Sequence, residues 1–267
     1  MDDERTRSGN IGLVLGAGGG AGGQWIGGVL GGLRDTIGFL PEHASTLIGT
    51  SIGAIRAAGI GPHRPPSTAV VEALLAAGGP IPRQSLGGQA LAGLRSVGGK
   101  VAAIASRAGE PDPLTWVEQY HPETRAQVCS MQRLPPRRRV ASIADAADPV
   151  REIAASAAVP FGAQRVTIEG AGHIDGAVWS VTNADLADPG QLDVLVVIAP
   201  LVTTDGGTLV SALGRHQLAA ELRPWHRSGK PALVFAPNAD QYERRQERAE
   251  HHADARALAI AITSSKD

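Results

Sequence analysis

Short apolar runs alternate with helical patterns along most of the chain. Runs of apolar and β-branched residues predict strands, and apolar residues spaced three and four positions apart predict helices between them. The predicted strands cover residues 11–15, 46–48, 139–143, 166–168, 173–175, 191–199 and 232–235. The predicted helices begin near residue 25 and after residue 51, and they cover about 68–77, 89–108, 114–128, 148–158, 208–227 and 240–262.

This order of elements indicates a parallel sheet. A strand, a helix and a second strand follow one another before residue 51, which is a β-α-β unit with a right-handed crossover. We therefore predict an α/β fold with three layers, α/β/α, around a mostly parallel central sheet. The 267 residues suit one domain over 1–267. Within it we expect a variable helical layer at about 61–138 and a charged C-terminal helix at about 240–262.

Composition excludes several classes of protein. A formal net charge of -1 lacks the basic surplus that binding to a phosphate backbone requires, so we expect no nucleic-acid partner. The single cysteine, Cys129, cannot form an intrachain disulfide or a thiolate metal cluster, which fits a reducing cytoplasm. The start of the chain lacks the basic region of a signal peptide, and no apolar run approaches the length of a bilayer span. We predict a cytoplasmic protein whose contact with a membrane is peripheral.

A candidate nucleophile follows the second predicted strand. Gly49-Thr50-Ser51-Ile52-Gly53 has the G-x-S-x-G pattern, which places a serine on a sharp turn between strand and helix. Gly49 and Gly53 permit such a turn, and the start of the following helix supplies main-chain donors such as the N–H of Ile52. The pattern by itself is weak in a chain with 34 glycines, and a serine that caps an ordinary helix is the alternative.

A glycine-rich loop follows the first predicted strand, over residues 16–23. Its main-chain N–H groups could stabilise the oxyanion that forms when an ester carbonyl is attacked. The same loop also resembles a dinucleotide fingerprint, but that interpretation expects an acidic residue at the end of the next strand. Gly49-Thr50-Ser51 stands there instead.

Several segments together resemble the patatin-like phospholipases, especially their smaller bacterial members. These segments are 13–30, 47–57 and 154–186, and they include Ala155-Ser156-Ala157-Ala158-Val159-Pro160 and Thr182-Asn183-Ala184-Asp185-Leu186. In that family a glycine-rich oxyanion loop, a G-x-S-x-G serine and an Asp-Gly-Gly or Asp-Gly-Ala motif form a serine-aspartate dyad. The family often carries an arginine in the loop, where this chain has Ala21 or Gly22.

The resemblance implies a role for each matching residue. Ser51 would be the nucleophile, Asp175 of Asp175-Gly176-Ala177 the general base, and the oxyanion hole would be formed by Gly18, Gly19, Gly20 and Ile52. Asp205 of Asp205-Gly206-Gly207 spells the commoner form of the motif and is a second candidate base. His173 shares a strand face with Asp175 and could tune its carboxylate, or simply form a local hydrogen bond.

The expected activity is hydrolysis of carboxylic esters through an acyl-enzyme, with no metal and no organic cofactor. The resemblance implies a lipid ester, of the phospholipase A or lysophospholipase type. A non-lipid ester or thioester is the alternative substrate, and a non-catalytic nucleotide-binding protein is the alternative class.

Overall fold

The computed structural model describes residues 9–78 and 110–264, and eight strands within them form one sheet. Strands β3, β2, β1, β7 and β8 pair in parallel, whereas β4, β5 and β6 join through antiparallel pairs. The order is β5-β6-β3-β2-β1-β7-β8, and β4 also pairs with β3. The strands are β1 (Ile11–Leu15), β2 (Ala44–Thr50), β3 (Ala126–Gln132), β4 (Arg137–Ser142), β5 (Val166–Ile168), β6 (Ala171–Asp175), β7 (Val194–Ile198) and β8 (Ala232–Phe235).

Helices connect most of these strands. They are α1 (Gly19–Ile37), α2 (Ile52–Ala58), α3 (Thr68–Ala77), α4 (Pro149–Ala157), α5 (Leu209–Glu221), α6 (Arg223–Ser228), α7 (Ala239–Glu243) and α8 (Arg248–Ser264). Within the described residues, no helix combines the length and the apolar character that crossing a bilayer requires.

The side chains of β1 divide between two hydrophobic clusters. Ile11, Leu13 and Leu15 pack with residues of α1, α2, α3 and α8, while Val14 joins a second cluster with residues of α5 and α6. Strand β7 divides between the same two clusters. Because both faces of the central strands are covered, these strands are apolar almost throughout. The α/β fold with helices on both faces of a mostly parallel sheet is therefore confirmed.

The glycines of α1 serve a close helix contact. A Cβ atom on Gly32 would lie 2.6 Å from the Cβ of Ala259, and a Cβ on Gly28 would overlap the carbonyl oxygen of His252. Both partners belong to α8, so the glycines that weaken α1 by propensity let α8 pack directly on its backbone. Helix α1 also begins at Gly19, well before Trp25, so the glycine-rich segment forms the first turns of the helix.

The predicted helix at 114–128 is wrong. A short 3-10 turn covers Pro113–Trp116, and the segment then enters β3, an interior strand of the sheet. Most of β3 is buried, so it lacks the alternation of apolar and polar residues that identifies a half-buried strand. The predicted helix at 89–108 lies outside the described residues.

Two long predicted helices are divided. The segment predicted at 208–227 consists of α5 and α6, with Pro224 at the start of α6. The charged segment predicted at 240–262 consists of α7, a 3-10 turn over Arg244–Gln246, and α8. The charged residues and the apolar spacing of this segment are typical of one continuous helix. The chain bends instead, so that α8 packs against α1.

Replacement of Gly53 by Ala should lower the stability of the protein. A Cβ atom on Gly53 would overlap the carbonyl of Leu15, which is fixed backbone at the end of β1. Separating α2 from β1 should reduce the free energy of unfolding by about 2 kcal/mol. Urea denaturation measures this change.

Gly31→Ala is the matched control, because a Cβ atom there meets nothing within 4 Å. It should raise the free energy of unfolding by about 0.5–1 kcal/mol through helix propensity. Equal effects of the two substitutions would contradict the close approach of α2 to β1.

Candidate active site

Ser51 lies on a strained turn between β2 and α2. Its backbone has φ 59° and ψ -124°, a left-handed conformation that costs a residue with a side chain about 1–3 kcal/mol. The flanking glycines make room for the turn: a Cβ on Gly49 would lie 2.6 Å from the Cα of Ala54. Ser51 is 4% exposed. This is the geometry of a nucleophile elbow.

A second serine holds this turn. The N–H of Ser51 donates to Ser156 Oγ at 3.1 Å, and the Ser156 hydroxyl donates to the carbonyl of Cys129 at 2.6 Å. All of these groups are buried. The link ties the elbow to both α4 and β3, and it occupies the N–H of Ser51 with a structural role.

Strand β3 brings Asp175 to the same place. Thr50 at the end of β2 pairs with Cys129, and Asp175 at the end of β6 pairs with the next residue, Ser130. Since β4 pairs with β3 along its full length, β2 and β6 must share the opposite edge of β3. The two strands run in opposite directions and meet end to end, so Ser51 and Asp175 lie next to each other.

The backbone around Asp175 is tightly fixed. Its N–H donates to the carbonyl of Ala158 at 2.9 Å, and its Oδ1 accepts from the N–H of Ala177 at 2.7 Å. The following Gly176 packs against the Cys129 carbonyl so closely that a Cβ would overlap it. Packing therefore requires glycine, which has no Cβ, directly after the aspartate.

Burial determines the protonation of Asp175, which is 2% exposed. It raises the pKa of this carboxyl from 3.8 to about 6, and the nearby Ser51 hydroxyl and the hydrogen bond from the Ala177 N–H oppose the rise. The Ser51 contact is loose: within the described residues, Ser51 Oγ makes no hydrogen bond of ordinary length and angle. Such looseness is common before a substrate binds. A carboxylate with a pKa near 6 is a stronger base than an ordinary aspartate and is still ionised at pH 7.

The glycine loop supplies free main-chain donors beside Ser51. In the described part of the chain, the N–H groups of Gly18, Gly19, Gly20 and Ile52 have no hydrogen-bond acceptor. Gly19 has φ 57°, a conformation that favours glycine. Ile52 packs against α1, because a Cβ on Gly23 would lie 3.2 Å from Ile52 Cγ1. The starts of α1 and α2 are therefore neighbours, and the positive ends of their dipoles lie near Ser51.

The other two candidates occupy different settings. Asp205 lies on an exposed loop, and its Oδ1 accepts from the N–H of Ala239 at the start of α7 at 2.8 Å. His173 is buried, and its Nδ1 shares a hydrogen bond of 3.2 Å with Ser130 Oγ. Burial also lowers the pKa of His173, which favours the neutral ring. Asp205 acts as a helix cap, and His173 forms the local hydrogen bond that the sequence left open.

Sequence reasoning gave no role to three residues that support the elbow. Ser156 holds its N–H, and the buried Asn183 donates from Nδ2 to the hydroxyl of Thr50 at 3.0 Å. Ser156 and Asn183 stand in segments that resemble the patatin-like signatures, which was the available signal. Thr50 also stands in such a segment, but at the variable position of G-x-S-x-G, and its role depends on a contact with Asn183, which is far along the chain.

Asp175→Asn should stabilise the protein at neutral and alkaline pH. The folded pKa is about 6 and the ordinary value is 3.8, so ionisation penalises the folded state. This penalty is absent below pH 3.8, grows between pH 3.8 and about 6, and is complete above about 6. The difference between these values corresponds to about 3 kcal/mol. Asparagine retains the acceptor for the Ala177 N–H and carries no charge.

Thermal and urea unfolding from pH 4 to pH 8 measure the effect. The excess stability of Asp175→Asn over the unsubstituted protein should grow from pH 4 to about pH 6 and then level off up to pH 8. Asp205→Asn is the control, because Asp205 is exposed. A stability difference that is independent of pH would contradict a buried, ionised Asp175.

Comparisons with known proteins give no assignment for this chain. No protein-family model matches the sequence, and no curated protein matches it. The resemblance to the patatin-like phospholipases therefore rests on short motifs.

Proposed function

We propose that this chain is a patatin-like serine hydrolase that cleaves carboxylic esters. Ser51 is the nucleophile and Asp175 is the general base. One observation carries the proposal: β2 and β6 meet end to end along β3, which brings a strained serine and a buried carboxylate together. A serine that merely capped α2 would need neither the backbone strain nor the carboxylate.

The first half of the reaction forms an acyl-enzyme. The Asp175 carboxylate takes the proton of the Ser51 hydroxyl while Oγ bonds to the carbonyl carbon of the ester. The negative charge on the carbonyl oxygen is stabilised by hydrogen bonds from the free N–H groups of the glycine loop and Ile52. When the tetrahedral intermediate collapses, its bond to the alcohol oxygen breaks and the alcohol takes the proton from Asp175.

The second half uses water in the same way. Asp175 takes a proton from a water molecule as the water oxygen bonds to the acyl carbon. The bond from that carbon to Ser51 Oγ then breaks, and Oγ takes the proton back from Asp175. The products are a carboxylic acid and the original enzyme.

The substrate class follows from the resemblance rather than from the described residues. A lipid ester, such as a phospholipid or a lysophospholipid, is the substrate of patatin-like enzymes, and peripheral contact with a membrane would accompany it. The nucleotide-binding alternative lacks support, because β2 ends in Gly49-Thr50 without a carboxylate for a ribose.

A fluorophosphonate probe should label Ser51 in the folded protein. The probe reacts with an activated serine, so the modified peptide should contain residue 51, and Ser51→Ala should abolish labelling. Ser45→Ala on the same strand is the control, because its hydroxyl bonds to the Ile11 carbonyl, away from the elbow. Absence of labelling in the folded protein, or labelling at another serine, would refute the proposal.

The two candidate bases should be separated by substitution. Asp175→Asn should lower kcat/KM for an ester by about 10²–10⁴-fold, because asparagine cannot accept the serine proton. Asp205→Asn should retain nearly full activity, since its oxygen can still cap α7. Steady-state hydrolysis of p-nitrophenyl butyrate measures both. Loss of activity in Asp205→Asn alone would reverse the assignment.

A further inference from the structure

One loop contacts the chain beside two parts of the proposed site, the glycine loop and the nucleophile, and follows the third, Asp175, along the chain. We define it as the 180–184 loop, which begins five residues after Asp175. Its Val181 carbonyl accepts from the N–H of Ala17, next to the glycine loop, at 2.8 Å. Its Thr182 carbonyl accepts from the Thr50 hydroxyl, next to Ser51, at 3.4 Å. The conformation of this loop therefore sets how the nucleophile and the oxyanion donors lie relative to each other.

Asn183 is the main link between this loop and the nucleophile strand. Its backbone is left-handed, with φ 54°, and its side chain is fully buried. Nδ2 donates to Thr50 Oγ1 at 3.0 Å and to the Ser180 carbonyl at 2.9 Å. Oδ1 accepts from the guanidinium of Arg138 at 3.2 Å, which fixes the orientation of the amide.

The carboxylate of Glu221 holds the loop from α5. Oε1 accepts from the Ser180 hydroxyl at 2.6 Å, and Oε2 accepts from the Thr182 hydroxyl at 2.7 Å and the Ala184 N–H at 2.9 Å. Gln217, one turn earlier on α5, donates from Nε2 to the Trp179 carbonyl at 2.7 Å. One face of α5 therefore makes hydrogen bonds to the chain on both sides of Val181.

These contacts require a side chain that accepts on both oxygens. Burial, and to a smaller extent the nearby charge of Asp185, raise the pKa of Glu221 to about 6 against the opposing effect of the three donors. Glu221 is therefore mainly ionised at pH 7. The Ser180 hydroxyl already accepts from the N–H groups of Thr182 and Asn183, so its own proton is committed to Glu221. A glutamine at this position would place its NH2 group, which can only donate, against groups that also donate.

We propose that Glu221 is a positioning residue, which orients Ser51 through the 180–184 loop, Asn183 and Thr50. This inference rests on the proposed function of Ser51. Glu221 acts through other residues, and its carboxylate takes no part in proton transfer to the substrate. Its effect is on kcat, because it sets the angle from which Oγ attacks the carbonyl carbon.

A matched pair of glutamates separates positioning from general stability. Glu152 and Glu221 are each 5% exposed and each hydrogen-bonded by its carboxylate. Glu152 pairs with Arg139 at 2.8 Å, away from the 180–184 loop. Glu152→Gln should therefore lower the unfolding temperature and leave catalysis unchanged, whereas Glu221→Gln should change both.

The experiment measures three quantities for each variant: kcat and KM for p-nitrophenyl butyrate, the second-order rate of fluorophosphonate modification at Ser51, and the unfolding temperature. Glu221→Gln and Thr50→Val should each lower kcat and the modification rate about tenfold or more, with KM within about twofold of the unsubstituted protein. Thr50→Ser keeps the hydroxyl and should recover most of the rate. The double variant Thr50→Val with Glu221→Gln should lose little more than either alone, because both act through one chain of contacts.

Two outcomes overturn this inference without affecting the proposed function. One is modification of Ser51 at an undiminished rate in Glu221→Gln, and the other is equal modification rates in Thr50→Val and Thr50→Ser. Should Glu221→Gln fail to fold, Thr182→Val removes one donor to the same carboxylate and Thr182→Ser retains it. Equal rates for that pair also overturn the inference. Absence of labelling at Ser51 in the unsubstituted protein refutes the proposed function, and this inference falls with it.

Discussion

The site depends on the way in which β3 is paired. Strand β4 occupies one edge of β3, so the other edge is shared by β2 and β6, which run in opposite directions and meet at the boundary between Cys129 and Ser130. A parallel strand that arrives from one direction and an antiparallel strand from the other bring their last residues together. The proposed base is the last residue of β6 and the proposed nucleophile directly follows the last residue of β2, so sheet hydrogen bonds bring the two together.

This arrangement carries costs that the rest of the fold has to offset. Ser51 has a strained backbone, and Asp175 and Glu221 are buried carboxyls whose pKa values burial raises to about 6. Apolar clusters on both faces of the central strands supply the opposing stabilisation. Strain and buried charge that reduce stability are typical of catalytic sites, where geometry and basicity are maintained at the expense of stability.

Local sequence patterns predicted the elements that are locally encoded. The strands β1, β7 and β8 follow apolar runs, and the turn at Ser51 follows from two glycines that flank a serine between strand and helix. Strand β3 was missed, because a strand buried on both faces has no alternation, and the antiparallel pairing of β4 and β6 with it could not be predicted. The incorrect helix predicted at 114–128 has the same cause, because its last residues form the start of β3.

The sequence by itself determined the α/β class, the position of the candidate nucleophile and the two aspartates that each stand before a glycine. It could not choose between Asp175 and Asp205 by chemistry, since both precede glycine. The tertiary structure separates them, because β3 brings Asp175 to Ser51 and buries it, while Asp205 is exposed and caps α7. The role of Glu221 could be predicted least, because it depends on contacts with residues about 40 positions away in the chain. Burial and hydrogen bonding between such distant residues are decided by folding alone.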